Sequence, residues 1–121
     1  MNIGRKISGG KYKLNRKKKK YEIAGQKRIV KLAEKDKRKI QRILGGNLKT
    51  FLLSGKTINV QTRKGVIKKT EIKNVIETPS NKFLARQNII TKGAVVETEL
   101  GRVRVTNRPS QEGIINGVLL E

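Results

Sequence analysis

Apolar and polar residues alternate over short runs from Thr50 to the end of the sequence, and glycine, asparagine or proline bounds most of these runs. TFLLSG, KTINVQT, GVIKKTEIKNVIE, NIITKG, AVVETEL, GRVRVTN and NGVLLE are rich in Val, Ile and Thr. Those residues fit a pleated, half-buried surface, so each run predicts a strand. Strands this short, separated by turn signals, predict an all-β barrel or sandwich. Leu100-Gly101-Arg102, between AVVETE and VRVT, predicts a hairpin in which Gly101 supplies the positive φ of a tight turn. Thr78-Pro79-Ser80-Asn81 opens a non-strand segment through Gln87, where Ser80 or Asn81 can cap a single helical turn.

Residues 26–44, QKRIVKLAEKDKRKIQRIL, carry a different pattern. Ile29, Leu32, Ala33, Ile40, Ile43 and Leu44 fall on one helical face that Asp36 interrupts, and periodicity leans towards helix. The alternative is two short strands, IVKLA and RKIQRIL, joined by a polar turn at Glu34 to Lys37. Gly45-Gly46-Asn47 ends either element, because these residues tolerate positive φ at little cost. From Met1 to about Gly25 apolar residues are too sparse to make a face. This predicts an extended basic arm over residues 1–25 and one body over residues 26–121.

Charge changes what the arm must be for. The chain holds 30 Lys and Arg against 9 Asp and Glu, a net +21 over 121 residues, which opposes compaction unless a polyanion or counter-ions neutralise it. Residues 1–47 carry 17 basic and 3 acidic side chains, and residues 48–121 carry 13 and 6, so the charge is concentrated at the N-terminal end. Between Arg5 and Lys20 there are nine cations and no carboxylate, a tract that calls for a long anionic partner. A membrane surface fits poorly, since no amphipathic apolar face accompanies the arm. The sequence shows neither a signal-peptide segment nor a long apolar run, which predicts a soluble intracellular protein.

Catalysis has few candidates. Cysteine and histidine are absent, which removes thiolate chemistry, the commonest general base and the commonest zinc ligands. Glu97 and Glu99 are expected on one strand face; an acid/base or Mg²⁺ role competes there with a solvated face or pairing to neighbouring cations. No phosphate loop, nucleophile elbow or metal-ligand spacing occurs. Neither a cofactor nor an enzymatic activity is expected. Arg102 and Arg104 alternate with Val103 and Val105, so one face can join a core while the other grips phosphate. Tyr12 and Tyr21 lie within the basic tract, where each ring can stack on an unpaired base or anchor the arm to its own domain.

Four segments together resemble one family: SGGKYKLNRKKKKYEIAG, GGNLK at 45–49, TPSNKFLARQNIITKGAVVETELG at 78–101, and VTNRPSQEGIINGVLLE at 105–121. The chain resembles the S8e ribosomal proteins of the archaeal and eukaryotic small subunit, and its length is closer to the archaeal form. The resemblance implies a β-barrel-like body with a basic extension threaded into ribosomal RNA. It also implies strands leading into the Gly-Gly-Asn turn, so residues 38–44 are taken as strand against the helical period. Thr78 and Ser80 stand where the family has Asn and Ala. Leu48 replaces a usual basic residue, removing one phosphate contact, and Ser110 replaces glycine in a turn.

The expectation is therefore an all-β protein with a small β-barrel-like body and an extended basic N-terminal arm, a structural constituent of the small ribosomal subunit. It would be cytoplasmic and ribosome-associated, with small-subunit rRNA and neighbouring ribosomal proteins as partners, and no membrane, small-molecule substrate or homo-oligomer. The rRNA contacts expected on the arm are Arg5, Lys6, Lys11, Lys13, Arg16, Lys17, Lys18, Lys19 and Lys20. On the body they are Lys27, Arg28, Arg42, Lys49, Arg86, Lys92, Arg102, Arg104 and Arg108. Gly9, Gly10, Gly45, Gly46 and Gly101 are expected at turns or close backbone approaches. The rival is a small β-barrel translation or RNA-remodelling factor that visits the ribosome transiently. A DNA-compacting protein is a third possibility, and an RNA-directed enzyme comes last.

Overall fold

Strands dominate the structure, a computed structural model that describes residues 4–13, 15–23, 28–63 and 65–120. They are β1 (Lys31–Leu32), β2 (Lys37–Arg42), β3 (Leu48–Gly55), β4 (Thr57–Gln61), β5 (Ile67–Glu77), β6 (Val95–Thr98), β7 (Gly101–Val105) and β8 (Asn116–Leu119). A short helix, α1 (Lys82–Arg86), lies between β5 and β6. The all-β architecture expected from the alternating runs is thus the observed one.

Strands β4 to β8 close into a barrel. The closing pair is parallel: Asn59, Val60 and Gln61 of β4 lie beside Asn116, Gly117 and Val118 of β8. The other barrel pairs are antiparallel. Closure leaves no unpaired sheet edge on the barrel for another chain to join. The period-two pattern makes this possible, since Val103 and Val105 of β7 are buried while Arg102 and Arg104 are exposed. The lumen is filled by Ile58, Val60, Ile72, Val96, Val103 and Val105, stiff β-branched side chains suited to a narrow barrel. The 11-residue β5 has to bend around it. Its register against β6 shifts between Ile72 and Asn74 and again between Val75 and Glu77, which supplies the bend.

A second, three-stranded sheet has the order β1-β3-β2, with β1 parallel and β2 antiparallel to β3. Leu52 of β3 belongs to the barrel's hydrophobic cluster, and its N–H is shared by the carbonyls of Pro109 and Glu112 at 3.1 Å each. Asp36 fastens the link from β3 to β4: its Oδ1 accepts the Lys56 N–H at 3.2 Å and its Oδ2 accepts the Thr57 hydroxyl at 3.0 Å. Gly55 leaves room for this carboxylate, since a Cβ there would stand 2.9 Å from Asp36 Oδ1.

The helical period in residues 26–44 is not realised. Of its apolar residues only Leu32 on β1 packs against the core, while Ile29, Ile40, Ile43 and Leu44 are exposed, so they share no buried face. The strand alternative holds, and β1 and β2 flank β3 on opposite sides. NIITKG is not a strand either. Ile89 and Ile90 are both buried, which a strand with one face to the core does not permit. The segment instead runs beside residues 30–32, with Ile89 bridging Lys31 and the Ile90 N–H bonded to the Val30 carbonyl at 2.9 Å.

Other local expectations are met. Asn81 caps α1, its Oδ1 accepting the Phe83 N–H at 2.9 Å. Gly101 opens β7 at φ +120° after the two-residue turn Glu99-Leu100. Ser110 sits in its turn without a positive φ; the Arg108 carbonyl accepts the N–H groups of Gln111 and Glu112 at 2.9 and 3.0 Å. The turn therefore needs no glycine. The expected boundary between arm and body, residues 25 and 26, lies outside the described residues.

Candidate nucleic-acid interface

Every described residue from Gly4 to Ile23 is exposed. The arm is shaped by two local turns. In the first, Arg5 bridges Lys11, the Lys6 N–H bonds the Gly10 carbonyl at 2.9 Å, and the Gly9 N–H bonds the Lys6 carbonyl at 2.9 Å. Gly9 has φ +77°, the conformation in which a side chain would be strained, whereas Gly10 contributes its carbonyl to the turn.

The second turn is built by the first carboxylate after the basic tract. Glu22 accepts both terminal nitrogens of Arg16, at 2.8 and 3.1 Å, and also the Lys19 N–H at 2.9 Å. Arg16 is thus engaged within the free chain, while Lys17, Lys18, Lys19 and Lys20 remain exposed around the turn. The Arg16 hydrogen bonds, with the Lys19 N–H second, hold the Glu22 carboxyl below its ordinary pKa of 4.5. Because the value in the turn is depressed, the clamp is fully present above pH 4.5 and opens only as pH falls through the lowered value. An NMR titration of the Glu22 carboxyl carbon should give a midpoint below 4.5, and Arg16→Gln should move it back towards 4.5. Tyr12 and Tyr21 are exposed, with the ammonium groups of Lys6 and Lys19 at 5.8 and 5.9 Å from the ring centroids. Their faces are not packed into the body.

The body's expected cations divide into groups. Arg28 stacks on Phe51, its guanidinium 3.8 Å from the ring centroid, and donates to Gln41 Oε1 at 2.6 Å. Lys49 donates to Gln111 Oε1 at 2.6 Å. By strand register Gln41, Lys49, Lys39 and Phe51 share one face of the small sheet, and Arg28 lies on it. Arg102 and Arg104 stand on the outer surface of β7, opposite Glu97 and Val95. Arg86 ends α1, Lys92 is exposed in the turn before Gly93, and Arg108 opens the loop from β7 to β8. Arg42 ends β2 beside the turn in which Gly45 and Gly46 have φ of +77° and +76°. Lys27 lies outside the described residues.

Two cations missed in the sequence meet where the small sheet joins the barrel. Arg38 of β2 and Lys69 of β5 line a cleft of about 210 Å³ with Asp36, Asn59, Gly113 and Ile114. Arg38 was legible, being four residues before Arg42 and so on the same strand face. Lys69 was not, because only the packing of sheet on barrel brings it there.

The acidic side chains follow a different arrangement. Glu99 lies past the end of β6, so it does not share a strand face with Glu97. It lines a groove of about 500 Å³ together with Glu34, Glu71, Lys56 and Lys73. Lys56 Nζ is 2.7 Å from Glu71, and that hydrogen bond, with the Glu71 charge, raises its pKa above 10.5. Among the described residues no group of three or more Asp and Glu side chains is placed to hold a metal ion, and no helix is long and apolar enough to cross a membrane.

A barrel with an arginine-bearing outer face and a glycine-turned basic arm narrows the possibilities, and comparison with known families decides among them. The family described as Ribosomal protein S8e matches residues 2–120. The chain belongs to the S8e family of ribosomal proteins. Relatives of this S8e chain include the small ribosomal subunit protein eS8 of Staphylothermus marinus, 47% identical over 97% of this chain and 92% of its own length. The eS8 of Ignicoccus hospitalis is 49% identical over 97% and 92%, and that of Sulfolobus acidocaldarius 42% identical over 98% and 94%. The similarity thus spans both the arm and the barrel of the S8e chain, and the relatives are archaeal.

Proposed function

We propose that this S8e protein is a resident structural constituent of the small ribosomal subunit, cytoplasmic and non-catalytic, that stabilises folded small-subunit rRNA. The observation that carries the proposal is identity of 42–49% over nearly the whole chain to proteins named for that subunit. The mechanism is counter-ion replacement. Lys and Arg take the place of the cations condensed on phosphates that RNA packing brings close together. Residues 1–25 act as an arm that enters crevices a barrel cannot, and residues 26–121 act as a body that sets where the arm begins. On the arm, Lys17 to Lys20 are the leading phosphate contacts, because among the described residues no carboxylate pairs with them. On the body, Arg102 and Arg104 are the leading contacts, since β7 directs both away from the core. Recognition is by RNA shape more than by base sequence.

Washing small subunits with salt distinguishes a resident protein from a visitor. A resident constituent stays at one copy per subunit through a wash of about 0.5 M salt, because its contacts are numerous and partly enclosed by RNA. Quantitative mass spectrometry of washed subunits checks this. Release under that wash, with rRNA-packing proteins retained, would identify a transient factor instead.

A further inference from the structure

All six residues of β2 are exposed, and β2 is an edge of the small sheet. Its register with β3 sets Arg38 opposite Leu52, Ile40 opposite Thr50 and Arg42 opposite Leu48. Residues directly opposite in an antiparallel pair point to the same side, so Arg38, Ile40, Arg42, Leu48 and Thr50 form one face. At the inner end of that face Leu52 enters the core. At the outer end large aliphatic side chains meet water: Ile40 is 63% exposed, Leu48 70% and Leu44, in the turn, 96%. The fold gains nothing from leaving them there, and two guanidiniums bracket them.

The inner end of the face runs into the cleft where Arg38 meets Lys69. Asp36 in that cleft accepts the Lys56 N–H and the Thr57 hydroxyl and pairs with Arg38 at 3.7 Å, so its charge is matched by Arg38, while Lys69 and Arg42 have no carboxylate partner among the described residues. The Asn59 side-chain amide donates to Asn116 Oδ1 at 3.1 Å, which fixes the side chain at the edge of the cleft. The cleft holds about 210 Å³, the liquid volume of roughly seven waters.

We propose that this face of the β2–β3 hairpin, with the cleft at its base, is a second RNA-binding surface that works independently of the arm and takes a single-stranded segment. Phosphates meet Arg42, Arg38 and Lys69, while an unstacked base lies on Ile40 and Leu48. The inference rests on the rRNA-binding function proposed above and adds to it a separate site and a class of RNA. Charge complementarity selects RNA as the occupant, since this face and its cleft present Arg38, Arg42 and Lys69 against the single carboxylate of Asp36. The aliphatic patch selects a single strand, because stacked bases in a duplex offer no face to it whereas a splayed base does.

The absence of cysteine provides the test, because one introduced thiol is a unique attachment point. Full-length Ile40→Cys and Ser8→Cys proteins, each carrying a tethered iron chelate, are assembled into small subunits and used to cleave nearby rRNA. The expected result is cleavage from position 40 at a single-stranded segment, distinct from the cuts made from position 8. A salt titration of full-length protein on that rRNA fragment adds a second reading: Arg38→Gln, Arg42→Gln and Lys69→Gln together should lower the log-log slope by about 2, at roughly 0.7 per single-strand contact. Cleavage from position 40 confined to duplex overturns the single-strand assignment. Cuts from position 8 with none from position 40, or a neighbouring protein cleaved instead of RNA, overturns the second site and leaves the rRNA-binding function standing. Silence from both positions overturns both.

Discussion

Gly117→Ala should destabilise the isolated protein by about 2–3 kcal/mol, at the upper end of what overpacking a core costs. Gly117 lies on β8 between β4 and β7, opposite Val60 on one side and Val105 on the other. A Cβ there would collide with Val103 Cγ1, sit 2.9 Å from the backbone carbonyl oxygen of Arg104 and 3.1 Å from Ile58 Cδ1. None of these can step aside cheaply. Val103 is fully buried and stiff at χ1, and the Arg104 oxygen belongs to the backbone of a barrel strand. Glycine's role here is close approach, because its φ is not positive. Gly113→Ala is the contrast: its Cβ would meet Thr50 Cγ2 at 2.9 Å, the end of an exposed side chain that can rotate. For a body of about 100 residues the loss at Gly117 corresponds to roughly 10–20 °C in Tm. Thermal unfolding followed by far-UV circular dichroism, in about 0.5 M salt to screen self-repulsion, measures it. Adding Val103→Ala should cost less in the Gly117→Ala background than in the parent, since it removes one of the clashing atoms. A Gly117→Ala protein within 0.5 kcal/mol of the parent would falsify the closed-barrel register of β8.

Much of the barrel was legible because its strands obey a strict period of two. β4, β6 and β7 each bury alternate residues, and Val, Ile and Thr fill the inward positions. The Gly101 hairpin and the Asn81 cap were legible for a related reason: their chemistry is local, acting within three or four residues. What depended on distant partners was not. The apolar residues of 29–44 suggested a buried helical face, yet Ile40 and Leu44 are exposed, so their spacing reflected a surface. β1 and β2 are neighbours in sequence but are separated by β3, which enters later in the chain. Ile89 and Ile90 are both buried because covering elements lie on both sides, which a strand pattern cannot encode.

The same division applies to the cations. Arg102 and Arg104 were placed correctly by alternation alone. Arg28 and Lys49 read as free charges but are held by Phe51, Gln41 and Gln111, residues 13 to 62 positions away. Arg16 is held by Glu22, which lies just beyond the tract that defined the arm. These contacts are compatible with RNA binding only if phosphate replaces or extends them. On the function proposed above, the arm lysines, which have no carboxylate partner among the described residues, should matter more to affinity than the number of charges suggests.

That point gives the arm deletion its expected size. Removing residues 1–20 deletes nine Lys and Arg, of which only Arg16 has a carboxylate partner among the described residues. At roughly 0.7 per neutralised phosphate, eight lysine and arginine contacts would contribute about 6 to the log-log dependence of affinity on salt. A protein with that many contacts loses about 10³–10⁵ in affinity between 50 and 200 mM salt, so the truncated protein should be far weaker at low salt and much less salt-sensitive. The body should remain folded, because the described arm residues are exposed and their hydrogen bonds stay within the arm. An unchanged far-UV spectrum checks this. The remaining slope should lie below the parent's by the arm's share and be carried by the cations of the body, including about 2 from Arg38, Arg42 and Lys69. Filter-binding titrations of parent and truncated protein on one small-subunit rRNA fragment, across a salt series, separate the two contributions. If the truncated protein keeps the parent's slope, the arm is not the dominant contact, and the phosphates must be met by the barrel and the small sheet.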